Sequence, residues 1–113
     1  MIDLSFLQQF SGGDKAKMSK YIGMFLKSYP SALQAIEDKL AAQDWSGLRT
    51  AAHSLKPQLN YMGAKTMQEL AKEIEYSAGE GKDLEKLPGM VSDLKKGVVQ
   101  VAALLEAELA KMG

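Results

Sequence analysis

The chain has 113 residues, 46% of them hydrophobic and 25% charged, which is ordinary globular composition and excludes a disordered tail or a fibrous repeat. Fourteen basic residues balance fourteen acidic ones, so no global field draws the chain to nucleic acid or to an anionic membrane. Cysteine is absent, which removes disulfides, thiolate metal sites and cysteine nucleophiles together.

This length fits a single domain over residues 1–113 with one core. The opening run MIDLSFLQQFSGGD carries Asp3 early and has neither a basic leader nor a long apolar stretch, so no secretory signal is expected. No window approaches ~18 consecutive apolar residues, so no membrane span is expected either. A cytoplasmic protein is the expectation.

Alanine, leucine, lysine, glutamate and methionine are plentiful, only three prolines occur, and strand-like alternation is missing, so the fold class is all-α. A short first helix is predicted near Asp3 to Phe10, closed by Ser11-Gly12-Gly13, with Asp14 placed to cap the next helix. From Met18 the apolar positions Ile22, Phe25, Tyr29, Ala32, Ile36 and Leu40 recur every three or four residues, which predicts one long helix, bent at Pro30, to about Ala42. Asp44 caps a third helix with the stripe Leu48, Ala52, Leu55, Leu59 and Met62, and Gly63 supplies its stop. A fourth carries Ala64, Met67, Leu70 or Ala71, Ile74 and Ala78 before a polar loop, Gly79-Glu80-Gly81-Lys82. The fifth begins between Asp83 and Pro88 and runs through Leu87, Val91, Leu94, Val98, Val101 and Leu105 to near Lys111. Four long amphipathic helices with short connections pack most simply as an antiparallel four-helix bundle, the short N-terminal helix lying over one end.

The single histidine, His53, stands inside the third helix in AAHSLKPQLNYMGA. Advancing ~100° per residue puts Ser46, Arg49, Thr50, Lys56, Pro57 and Asn60 within ~60° of it, while the apolar stripe centres ~140° away. His53 therefore faces solvent. An imidazole, with an ordinary pKa of ~6.5, offers a nitrogen nucleophile near neutral pH without a base to activate it. Phosphoryl transfer runs through a loose transition state, so a receiving group needs mainly position and charge compensation. Lys56, one turn along the same face, can supply that charge, and Arg49, one turn before, is a second candidate for it or for docking an acidic partner. Asn60 shares the face, and both it and Gln58 can donate amide hydrogens. One histidine cannot build an inward metal cluster, no Gly-rich phosphate loop occurs, and no hydrolytic triad has suggestive spacing, so metal, autonomous kinase and hydrolase chemistry are not expected.

The Gly-Gly-Asp opening of the long helix, the Asp44-Trp45 turn, the run Ala52-His53-Ser54-Leu55-Lys56 and Gly63-Ala64 ten residues after the histidine resemble the histidine phosphotransfer (HPt) domains of bacterial two-component phosphorelays. The resemblance implies that His53 is phosphorylated on its outward ring nitrogen, that Lys56 sits beside the phosphate, and that Gly63 is structural. It further implies docking of a response-regulator receiver domain over Arg49, Thr50, Pro57 and Asn60, a hybrid sensor histidine kinase upstream, and Mg²⁺ on the receiver with no cofactor on this chain. The exposed apolar part of that surface is expected near Ala51 to Leu55 and on the facing part of the second helix. A monomer suffices for such a shuttle, which has no turnover of its own. Where the family usually has glycine directly after the lysine, this chain has Pro57; without an N–H there, the carbonyl of His53 loses its helical partner. That departure supports an alternative, an HPt-like adaptor that docks a receiver or kinase without being phosphorylated.

Overall fold

Asp14 starts the longest helix: its carboxylate accepts from the backbone N–H of Ala16 at 2.8 Å and of Lys17 at 3.3 Å, satisfying donors that a helix start leaves free. In the computed structural model, which describes residues 2–112, the elements are α1 (Ser5–Phe10), α2 (Lys15–Ala41), α3 (Trp45–Tyr61), α4 (Lys65–Glu80), a 3₁₀ turn (Leu84–Lys86) and α5 (Leu87–Met112). The two terminal residues of the expected 1–113 domain, Met1 and Gly113, lie outside the described residues. Neighbouring long helices pack α2 on α3, α3 on α4, α4 on α5 and α5 back on α2, closing an antiparallel four-helix bundle. Its 43 Å long axis is close to the roughly 40 Å that the 27 residues of α2 span at ~1.5 Å each.

The expected stripes of α3 and α5 are buried throughout: Leu48, Ala52, Leu55, Leu59 and Met62 on one side of the core, and Leu87, Val91, Leu94, Val98, Val101 and Leu105 on the other. Asp44 caps α3 by accepting from Gly47 N–H at 2.9 Å, and Trp45 packs half-buried against the core. Two local readings are corrected. On α2 the buried residue after Pro30 is Leu33, while Ala32 is only partly covered; both lie near the stripe, and the larger side chain takes the interior. Helix α4 runs on through Gly79 and Glu80 to Gly81, where a polar loop was expected.

Helix α1 lies over the end at which α2 begins and α3 gives way to α4. Leu7 enters the core at 1% exposure, and Phe6 and Phe10 stack beside Tyr61, with ring centroids 5.4 and 5.7 Å from it. The backbone of Asp3 donates to the Gly63 carbonyl at 3.0 Å. Gly63 has φ +69°, and a Cβ there would stand 1.7 Å from the Asp3 carbonyl oxygen. Only glycine permits both the turn and the chain crossing above it.

Candidate functional site

His53 sits mid-way along α3 with 68% of its side chain exposed, because the helix phase that buries Leu55 and Ala52 turns position 53 outward. Its ring is nonetheless held. Nδ1 lies 2.7 Å from Glu75 Oε2 on α4, while the other oxygen of the same carboxylate, Oε1, lies 2.5 Å from Lys56 Nζ. One carboxylate thus receives both members of the His–Lys pair. An ionised carboxylate only accepts, so the contact assigns the ring proton to Nδ1 and leaves the lone pair of Nε2 free on the opposite side of the imidazole.

Glu75 can do this because it is mostly covered, with 17% of its side chain exposed. Partial burial pushes its carboxyl up, but the hydrogen bonds from Lys56 and His53 outweigh that, and the net shift is downward from the ordinary value. It therefore stays charged at neutral pH. Lys56 is itself largely covered, at 23% exposure, its stem lying along the α3–α4 seam.

The remaining face residues divide by what they touch. Arg49 is exposed and lies across α4: a Cβ on Gly79 would come within 2.9 Å of Arg49 Cδ and 3.1 Å of Nε. A glycine inside a helix costs roughly 0.5–1 kcal/mol relative to alanine, and here its missing side chain is the space the arginine occupies. Thr50 is exposed, with its hydroxyl donating to the Ser46 carbonyl at 3.1 Å. Pro57 is exposed on a helix that continues past it to Tyr61, and Asn60 is exposed as well. Gln58 serves to tie helices, accepting from Ser28 on α2 at 3.2 Å and donating to the Ser54 carbonyl at 3.3 Å.

The exposed apolar surface lies on the facing part of the second helix, as the sequence suggested, but not at Ala51 to Leu55. Leu55 is fully buried and Ala51 partly so. Instead Phe10, Met24 and Tyr61 stand half-exposed around a groove of about 350 Å³ between α1, α2 and α3, floored by Leu7, Phe25 and Met62 and reaching Gln58.

Glu75 was not identified from the sequence, although a signal was present. His53 lies ten residues before Gly63 and Glu75 twelve after it, and in an antiparallel pair joined by a tight turn, positions at similar distances from the turn lie near each other. Position 75 also neighbours the buried Ile74, at the edge of the α4 stripe.

Comparison with known proteins extends these observations. Residues 20–111 match the Hpt domain family. Histidine-containing phosphotransfer protein B (HptB) from Pseudomonas aeruginosa PAO1 superposes with a TM-score of 0.89 at 24% identity, over 97% of this chain and 95% of that one. The HPT domain of the Hpt sensor hybrid histidine kinase from Shewanella superposes with a TM-score of 0.83 at 20% identity, over 97% and 94%. At these identities the two structures speak for the fold. No curated protein matches the chain.

Proposed function

Because the chain belongs to the Hpt domain family, we propose that it is a phosphorelay intermediate that takes a phosphoryl group from a receiver-domain aspartate onto His53 and passes it to another. The observation carrying this reading is the free Nε2 of an exposed imidazole whose Nδ1–H is anchored on a charged carboxylate. In the forward step the Nε2 lone pair forms the N–P bond while the acyl phosphate P–O bond breaks, the electron pair leaving with the receiver's aspartate. The ring becomes an N-phosphorylated imidazolium. Glu75, already on Nδ1, compensates the positive charge, and Lys56 compensates the phosphoryl oxygens. The reverse step returns the group to a second receiver.

On this reading the chain is a carrier with no kinase or hydrolase activity of its own, monomeric, and in need of no cofactor, Mg²⁺ being held by the receiver. A response regulator and a hybrid sensor histidine kinase are the partners. Arg49, Thr50, Pro57 and Asn60 form the rim of the docking face around His53, and the apolar groove at Phe10, Met24 and Tyr61 continues it toward α1. Among the described residues no helix is long and apolar enough to cross a membrane.

The test is incubation with phosphorylated receiver domains. Acid-labile, alkali-stable label on this chain, absent in His53→Gln, is expected. If several competent donors leave the wild-type chain unlabelled while still binding it, the chain is an adaptor.

A further inference from the structure

Beside the imidazole, α3 and α4 enclose a cleft of about 270 Å³, lined by Arg49 and Lys56 from α3 and by Lys72, Glu75, Tyr76 and Glu80 from α4. Its cations have different employment. Lys56 is bound to Glu75 Oε1, and Arg49 is laid across Gly79. Lys72 is exposed, stands one turn before Glu75 on the same helix, and among the described residues enters no salt bridge. Residues three apart on a helix are surface neighbours, which puts the Glu75 carboxylate, like that of Glu69 one turn back, within range of its ammonium.

The two ring nitrogens point to opposite sides. Glu75 holds Nδ1, so a phosphoryl group on Nε2 projects away from α4, whereas the Lys56 ammonium rests on the carboxylate, on the α4 side. To reach phosphoryl oxygens Lys56 must turn outward, and Oε1 of a mostly covered carboxylate then loses its partner. A mostly covered carboxylate oxygen without a partner is unfavourable, and a phosphoryl group carrying nearly two negative charges across the imidazole increases the demand for a cation.

Resting on the phosphorelay reading above, we propose that Lys72 is a reserve cation for Glu75, replacing Lys56 on the carboxylate when Lys56 turns to a phosphoryl group on His53. The exchange keeps Glu75 charged and seated on Nδ1 in both states of the carrier. Lys72 is thus a positioning residue: it touches neither the ring nor the phosphorus, and it acts through Glu75.

A double-mutant cycle read at one atom tests this. The titration of Glu75 is followed by its ¹³Cδ resonance in the unphosphorylated wild type, Lys56→Met, Lys72→Met and the double variant. Lys72→Met alone should leave the midpoint in place, since Lys56 holds the carboxylate. Added to Lys56→Met it should raise the proton affinity of Glu75 by about tenfold, the lower end of the effect of an opposite charge within hydrogen-bonding range. Additive shifts overturn the proposal. In a second arm, transfer from a phosphorylated receiver is brought to equilibrium: Lys72→Met should lower the phosphorylated fraction and Lys72→Arg restore it. Equal phosphorylation of all three also overturns it while leaving the phosphorelay reading intact. A wild-type chain that accepts no phosphoryl group removes both.

Discussion

Replacing Glu75 separates an imidazole that is merely exposed from one that is exposed and aimed. In Glu75→Ala the 2.7 Å contact to Nδ1 disappears, the ring is free to rotate about its side-chain torsions, and the proton can move to Nε2, where it occupies the lone pair that must attack phosphorus. Hydrogen bonds to charged groups contribute about 1.5–3 kcal/mol. With 68% of the His53 side chain open to water, the lower end of that range applies. About 1.4 kcal/mol corresponds to a factor of ten, so the transfer rate from a phosphorylated receiver should fall about tenfold in rapid-quench measurements. Glu75→Gln keeps an acceptor of the same shape without its charge, and about a threefold loss is expected, since a neutral acceptor is roughly half as strong. Ring ¹⁵N shifts supply the independent readout: wild type should show the Nδ1–H tautomer, and Glu75→Ala a mixture. Both variants should retain the helical circular dichroism of the wild type. Should they transfer within a factor of two of wild type with the Nδ1–H tautomer still dominant, the carboxylate neither orients the ring nor selects its proton, and the mechanism built on it is wrong.

Other consequences are testable on the fold alone. Gly63→Ala forces a side chain into positive φ with its Cβ against the Asp3 carbonyl, and should lower stability in urea by about 2 kcal/mol or more, with quenching or exposure changes at Tyr61 as α1 lifts. Pro57→Ala returns an N–H to the carbonyl of His53 and should raise stability by about 1–3 kcal/mol; an unchanged urea midpoint would mean the helix already compensates for the missing bond. Leu55→Ala, at a position with 0% exposure, should cost about 2–5 kcal/mol. The Glu75 carboxyl lies below its ordinary value of 4.5, so the unfolded chain binds the proton more tightly than the folded one. The stabilisation from this group is complete above about that pH and is lost as pH falls through the lower folded value. Glu75→Gln should accordingly flatten the acid limb of a stability–pH curve.

Local periodicity was enough for the helices. Apolar residues three and four apart fix which side of a helix turns inward, and that reading holds for Leu48 to Met62 on α3 and for Leu87 to Leu105 on α5. The same phase turned His53 outward, and the aspartates at 14 and 44 capped where their short side chains could reach free N–H groups. What periodicity describes, however, is rotation about one helix axis. The axial offset between two helices, and therefore which charged residue of one meets which of the other, depends on the turn between them and on how both stripes pack. Hence Glu75 beneath His53 and Lys56, Arg49 across Gly79, and Asp3 above Gly63 appear only once α1, α3 and α4 are assembled. The sequence by itself determined an outward histidine with a lysine one turn along; the tertiary structure alone decided that a carboxylate from the neighbouring helix binds them both, because that contact is made across helices whose relative register no single-helix pattern encodes.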